Sequence, residues 1–265
     1  MKTPKKAPYF QQRRARRGFL KAGIAAAATG ALAGCDALSH NDTAVEVLRT
    51  AESVNNSLHR VLGRKAMAQE FTRADIAPVF RPNGTTAPGG DAYAAMLANG
   101  FADWKLAVGG LVEHPLELSL AQLREMPSRT QITRHDCVEG WSCIGEWKGV
   151  RLSHLLGLAK PKADAKFVVF HCLDQMDEDD EESAYYESID FDDALHEQTI
   201  LAYDLNGKPL PVANGAPLRA RIERQLGYKQ PKYLQSIELV SAFDKIAGGK
   251  GGYWEDQGYN WYGGI

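Results

Sequence analysis

Within the sixteen residues from His135 to Val150, "HDCVEGWSCIGEWKGV", the chain gathers two cysteines, a histidine, three acids and two tryptophans. Cys137 stands where the strand-like stretch "QITRHDCV" ends and the chain turns through Gly140 into a Trp-rich loop, a position that presents a side chain for chemistry. A thiolate suits a soft or borderline metal, and one is enough when the metal brings its other ligands with it. The spacings H-x-C, C-x5-C and the adjacent His171-Cys172 do not match a zinc finger or ribbon. A Cys137–Cys143 or Cys143–Cys172 disulfide is the remaining alternative. Beyond Cys35 the chain has only Cys137, Cys143 and Cys172, so either pairing leaves one thiol over.

The compartment bears on that choice. A basic stretch, Arg13 to Arg17, precedes an apolar run from Ala22 to Ala33, in the pattern of an export signal and too short to span a bilayer. Arg16-Arg17 followed by "GFLK" resembles the twin-arginine motif, and "LAGC", Leu32 to Cys35, resembles a lipobox in which Cys35 carries lipid. Asp36 beside it is the residue that retains such lipoproteins at the inner membrane. The twin-arginine route moves folded proteins, often already loaded with a redox cofactor. Residues 1–34 are therefore read as a signal and 35–75 as a tether and helix, with a periplasmic, lipid-anchored location expected.

The sequence has 265 residues, 44% hydrophobic and 24% charged, with a formal net charge of −2. That is an ordinary globular composition, and it argues against a nucleic-acid partner. Apolar positions 47, 48, 51, 54, 58, 61 and 62 predict an amphipathic helix over 44–62, opened by Thr43 and Glu46 as a capping box and stopped by Gly63. "RPNGTTAPGGD" reads as a shaped loop. "SLAQLREMP" carries a cap at Ser119 and Gln122, "LSHLLGLA" reads as a helix, and "AKFVVFHCL" and "YLQSIELVSAF" read as strands. Asn206-Gly207 marks a hairpin. Short helices, short strands and long loops together predict an α+β fold with mixed sheets. No Rossmann or P-loop fingerprint is present.

"ITRHDCVEGWSCIGEWKGVRLSHLL" resembles the cysteine-bearing segment of the sulfite oxidase family of molybdenum enzymes, most nearly its bacterial twin-arginine-exported branch. "NGAPLRARIERQLGYKQPKYLQSIEL" resembles that family's second signature. The resemblance covers residues 76–245 and leaves 246–265 as a Gly/aromatic tail. It implies the family's molybdopterin-binding fold and one molybdenum–molybdopterin, with Cys137 as the protein's thiolate on the metal. It also implies a two-electron oxygen-atom-transfer reaction of the sulfoxide-reduction class. Asn214 and Arg219 match pterin- and phosphate-holding positions, and Gln230, Pro231 and Lys232 match a phosphate-wrapping turn, with Lys229 a neighbouring candidate. Cys172 stands where the branch has a cofactor-contacting threonine, and Asn83 near an early pterin contact, with Arg81 beside it.

Glu139, two residues from the thiolate, is a candidate for steering protons. His135 is read as structural, and Trp141 and Trp147 as core and pocket wall. "DQMDEDDEE", Asp174 to Glu182, reads as a solvated acidic loop, the alternative being a docking surface or an anion filter. Arg129 and Arg134 are the basic side chains shortly before Cys137, too few for a sulfite-binding site. The chain has no C-x-x-C-H haem motif and no room for an immunoglobulin-like dimerisation domain. A monomer passing electrons to a membrane cytochrome or quinone-linked partner is expected. The competing reading is a non-catalytic lipoprotein that keeps the fold as a binding or assembly module.

Overall fold

A computed structural model describes residues 41–63, 65–177 and 183–265. The expected signal and Cys35 lie outside them. One compact unit ends at Leu62 and a second runs from Gly63 to Ile265.

In the first unit, helix α1 spans Asp42–Gly63. It begins earlier than the sequence suggested. The Asn41 side chain accepts from Ala44 N at 3.0 Å, so Asn41 rather than Thr43 takes the capping role, a preference asparagine shares with threonine. Val47, Val54 and Leu58 of its apolar stripe are exposed.

The second unit is an α+β body with two five-stranded sheets. Helix α2 spans Asp91–Ala98, β1 Lys105–Gly110, β2 Leu116–Ser119 and helix α3 Leu120–Glu125. The Ser119–Gln122 capping box opens α3 as expected. Next come β3 Ser128–Cys137, β4 Trp141–Arg151, helix α4 Leu152–Ala159, β5 Phe167–Gln175 and β6 Ala184–Asp190. A short helix α5, Phe191–Ala194, leads to β7 Ile200–Leu205, β8 Lys208–Pro209, β9 Arg219–Arg221 and β10 Leu234–Val240, and helix α6, Tyr253–Asp256, follows. One sheet has the order β2-β1-β10-β5-β6, with β1 and β10 parallel. The other has the order β3-β4-β7-β8, with β9 also on β7.

The segment after Cys137 is not a loop. Trp141–Arg151 pairs antiparallel with β3 from Cys137↔Trp141 to Ser128↔Val150, making a hairpin closed by Val138, Glu139 and Gly140. Gly140 has φ 86°, the left-handed conformation that a three-residue hairpin loop needs at its last position and that glycine adopts without strain. On its other edge β4 pairs with β7. A Cβ on Gly149 would lie 2.1 Å from the Leu201 carbonyl oxygen, so only glycine lets the two backbones approach there. Asn206 and Gly207, both at positive φ, make the two-residue turn between β7 and β8.

The Gly/aromatic tail is stitched to the body. Leu226 N donates to Gly263 O at 2.8 Å and Ile265 N to Arg224 O at 3.0 Å. Trp261 Nε1 donates to Ser188 Oγ at 2.8 Å, and the Trp261 ring stacks on Phe243. Glu255 reaches inward to Lys229 Nζ at 2.6 Å. These contacts fix the two aromatic side chains, Trp254 and Tyr259, that reach the site.

Candidate functional site

The β3–β4 hairpin delivers Cys137 to the wall of a cleft of about 170 Å³. Six of the residues singled out from sequence meet there: Asn83, Cys137, Glu139, Gln230, Pro231 and Lys232. They come from the loop before α2, the hairpin tip and the turn before β10. Cys137 is half-buried and its thiol is free. Burial pushes that thiol's pKa up and the Glu139 charge adds to it, while the Glu139 and Val138 backbone and Arg81 oppose the shift. Unassisted, it therefore favours the neutral thiol, and a bound metal cation would invert that preference. Cys143 and Cys172 are also free. Each packs in a different hydrophobic cluster, so neither expected disulfide alternative forms.

Glu139 is only loosely part of the wall. Its side chain is 53% exposed and lies 3.8 Å from Arg81 Nη2, and Trp141 Nε1 donates to its Oε2 at 3.0 Å. Arg81 in turn lies over the Trp141 ring. Lys232 is buried, its ammonium donating to the carbonyls of Asn83, Thr85 and Ala213. Burial, then repulsion from Arg219, lowers its pKa to about 7.

Asn214 and Arg219 stand behind the wall rather than on it, both buried. The expected guanidinium fork is already committed. Nη1 donates to Asn214 O at 3.0 Å and Nη2 to Gln230 O at 3.3 Å. Arg219 thus ties the Asn214 turn to the Gln230 turn, and its Nε remains unpartnered. Cys172 is farther in. It pairs with Leu234 across β5 and β10 and is absent from the cleft wall.

Asn83 Oδ1, Asn214 Nδ2 and Arg219 Nε are all buried without a protein partner, whereas the Gln230 side chain supports the His135 ring. Each unmet group costs about 1–3 kcal/mol, and three on the segments that build one cleft indicate a polar ligand with both donors and acceptors. Among the described residues no group of three or more His, Cys, Asp or Glu is placed to hold a metal. A metal at Cys137 would therefore need ligands from another molecule. A pterin dithiolene with a phosphate answers both requirements, so the residues present fit that cofactor.

His135 is structural, as its position on β3 suggested. It is fully buried, and Arg221 Nη1 lies 2.9 Å from its Nδ1. A guanidinium only donates, so Nδ1 accepts and the ring proton sits on Nε2. Burial foremost, then the charges of Arg221 and Arg219, holds its pKa well below the usual 6.5. In the unfolded chain the ring protonates near 6.5, so stability is full above that pH and is lost as pH falls below it. Nitrogen chemical shifts at about pH 5 are expected to show neutral His135, with unfolding free energy falling between about pH 7 and pH 5. Trp147 is core, with the Arg219 guanidinium 5.0 Å and that of Arg221 4.4 Å from its ring centroid. Arg129 pairs with Glu70 and Glu197, and Arg134 with Asp136; neither joins the cleft.

Thr85, Tyr185 and Tyr228, which the sequence had not marked, line the cleft with Gly84 and Val138, with Asp174 and Met176 of the run read as a solvated loop, and with Trp254 and Tyr259 of the tail. Asp174 heads the acidic run yet is 3% exposed. The aromatic members come from β6, from the turn after β9 and from the tail, and no local periodicity links them.

The family description "Oxidoreductase molybdopterin binding domain" matches residues 94–245, which contain Cys137 and the whole Asn214–Lys232 segment. A putative protein-methionine-sulfoxide reductase subunit, YedZ1, of Azospira oryzae is 36% identical over 257 residues, covering 94% of this chain and 88% of that protein. The protein-methionine-sulfoxide reductase catalytic subunits MsrP of Campylobacter jejuni and Xanthomonas axonopodis pv. citri are 34% and 38% identical, over 56% and 54% of this chain. Those alignments cover 53% and 47% of the two MsrP proteins, about half their length. The sulfane dehydrogenase SoxCD of Paracoccus pantotrophus matches 53% of this chain and 39% of its own, at 23% identity and a TM-score of 0.47. With a single cysteine in a cleft ringed by unmet polar groups, a family match over residues 94–245 and one relative along 94% of its length, the chain belongs to the molybdopterin-binding oxidoreductase family and is a molybdenum–molybdopterin enzyme of the sulfite oxidase type.

Proposed function

We propose that this enzyme reduces sulfoxides, methionine sulfoxide in proteins foremost, with electrons drawn from a separate membrane redox partner. One observation carries the substrate assignment: Lys232 is the basic side chain on the cleft wall, beside the acids Glu139 and Asp174, and the rest of the wall is largely aromatic and apolar. With the Lys232 ammonium committed to three backbone carbonyls, the wall offers no free cation to an anion such as sulfite. Tyr228, Tyr259, Trp254 and Met176 suit a neutral methyl-sulfinyl arm. The names of the relatives point to the same substrate.

In this reading residues 76–245 hold the cofactor and 246–265 close the cleft. Cys137 supplies the thiolate to molybdenum. Asn83 and Asn214 meet the pterin and its phosphate with the atoms now unpartnered, Gln230 shapes the turn that wraps the phosphate, and Lys232 adds positive charge beside it. Arg219 holds the two turns in register, Cys172 supports the strand behind them, and Glu139 screens the solvent side of the thiolate. When bound, the cofactor supplies two-electron oxygen-atom exchange. The twin-arginine-type signal and Cys35 put the enzyme at the periplasmic face of the inner membrane as a lipid-anchored monomer.

The test is a reduced-dye assay of the loaded enzyme against methionine sulfoxide in an unfolded protein, dimethyl sulfoxide and sulfite. Turnover with both sulfoxides and none with sulfite is expected. Sulfite oxidation without sulfoxide reduction would overturn the assignment.

A further inference from the structure

We propose that Asp174 is the proton donor to the oxygen that leaves the substrate, an inference that rests on the sulfoxide reading. Reduction of a sulfoxide breaks the S–O bond: the sulfoxide, two electrons and two protons become a sulfide and one water. The membrane partner supplies the electrons, and the oxygen released from sulfur must take up protons in a cleft walled largely by aromatic and apolar side chains. Asp174 lies on the wall of that cleft with Cys137. Its Oδ2 accepts from Thr85 Oγ1 at 2.5 Å, while its Oδ1 is buried without a partner.

The groups that face this carboxyl are all committed elsewhere. Lys232 spends its ammonium on three carbonyls. Tyr93 donates to Ala216 O at 2.8 Å, Tyr233 to Thr85 O at 3.2 Å and Tyr185 to Tyr228 O at 2.5 Å. The Cys172 thiol, on the same strand, is buried, and desolvation foremost holds its pKa well above the usual value. Its own backbone N–H lends the Asp174 carboxylate some support, but among the described residues no side chain donates to Oδ1, so an ionised carboxylate would keep a poorly satisfied oxygen, whereas a carboxylic acid keeps a free O–H. Burial, against the opposing Thr85 hydrogen bond and Lys232 charge, raises the pKa of Asp174. Glu139 lacks these properties, being exposed and tied to Trp141 and Arg81.

During turnover sulfur gives up its oxygen in the two-electron exchange, and the Asp174 O–H then gives its proton to that oxygen on its way to water. Solvent supplies the second proton and then reprotonates the carboxylate.

Asp174→Asn keeps an acceptor for Thr85 and removes the acid. In the loaded enzyme, kcat for dimethyl sulfoxide is expected to fall by about 100-fold or more, with molybdenum and pterin content unchanged. The fall of wild-type kcat as pH rises through the elevated pKa of Asp174 should vanish in the variant. An independent readout needs no turnover: infrared spectra should show a protonated-carboxyl C=O stretch persisting above about pH 4 in the wild type and missing from Asp174→Asn. Wild-type turnover and pH profile in the variant would overturn this role alone. So would loss of molybdenum or pterin, which would make Asp174 a cofactor ligand. A wild-type enzyme inactive on every sulfoxide would overturn the sulfoxide reading and this role with it.

Discussion

Cys137→Ser is expected to cut turnover by more than about a thousandfold, equivalent to about 4 kcal/mol of barrier, while the fold survives. A serine hydroxyl stays protonated where a thiolate forms, and a neutral oxygen is a poor ligand for a metal that selects soft sulfur. The hairpin does not depend on the sulfur. It is held by backbone pairing that runs without a break from Ser128↔Val150 to Cys137↔Trp141, so unfolding stability should change by no more than about 0.5 kcal/mol. The checks are sulfoxide turnover, the visible spectrum of the metal and thermal unfolding on one preparation. Wild-type turnover in the variant would remove Cys137 as the ligand.

Lys229→Met is expected to be the most damaging stability change. Lys229 is buried between Glu187 and Glu255, themselves buried, and Glu255 belongs to the tail that carries Trp254 and Tyr259 to the cleft. Removing one partner of a buried ionic cluster costs about 3–5 kcal/mol, because two carboxylates then face each other without a cation. The pH dependence has a definite sign. Burial first, and the Glu255 charge, push the Glu187 pKa well above its ordinary value, with Lys229 pulling it down. Without Lys229 that upward shift grows, so the folded variant binds more protons than its unfolded chain above about pH 4.5. Its stability therefore falls as pH rises, and the deficit against wild type is smallest in mild acid. Urea unfolding at two pH values measures this, and adding Glu187→Gln and Glu255→Gln should recover much of the loss. A constant deficit at both pH values would mean the lysine acts by packing alone.

The contrast between legible and illegible parts follows the range of the forces. β3, α4, β5, β10 and the Asn206-Gly207 turn were readable because their signals are local: alternation, helical period, and glycine or asparagine where φ is positive. β4 was not. As a central strand between β3 and β7 it is buried on both faces at Glu146, Trp147 and Val150, so it lacks alternation, and Gly145 and Gly149 give it a loop-like composition. Asp174 misled for a related reason. Its neighbours in sequence are acids, but its environment is set by Thr85, 89 residues away, and by strands on either side of β5. The arginine at 219 was recognised by its motif, yet the use of its fork on the Asn214 and Gln230 carbonyls depends on a turn-to-turn distance that no motif encodes. The aromatic wall is assembled from β6, the turn after β9 and the tail, and only the folded chain shows that they converge.

The most direct test of the central claim is metal and pterin content, by elemental analysis and pterin fluorescence, of protein exported through its own signal in a host that makes the cofactor. One molybdenum and one pterin per chain are predicted for the wild type. Protein that is folded and free of both would contradict the account and leave Cys137 a structural thiol in an empty binding module.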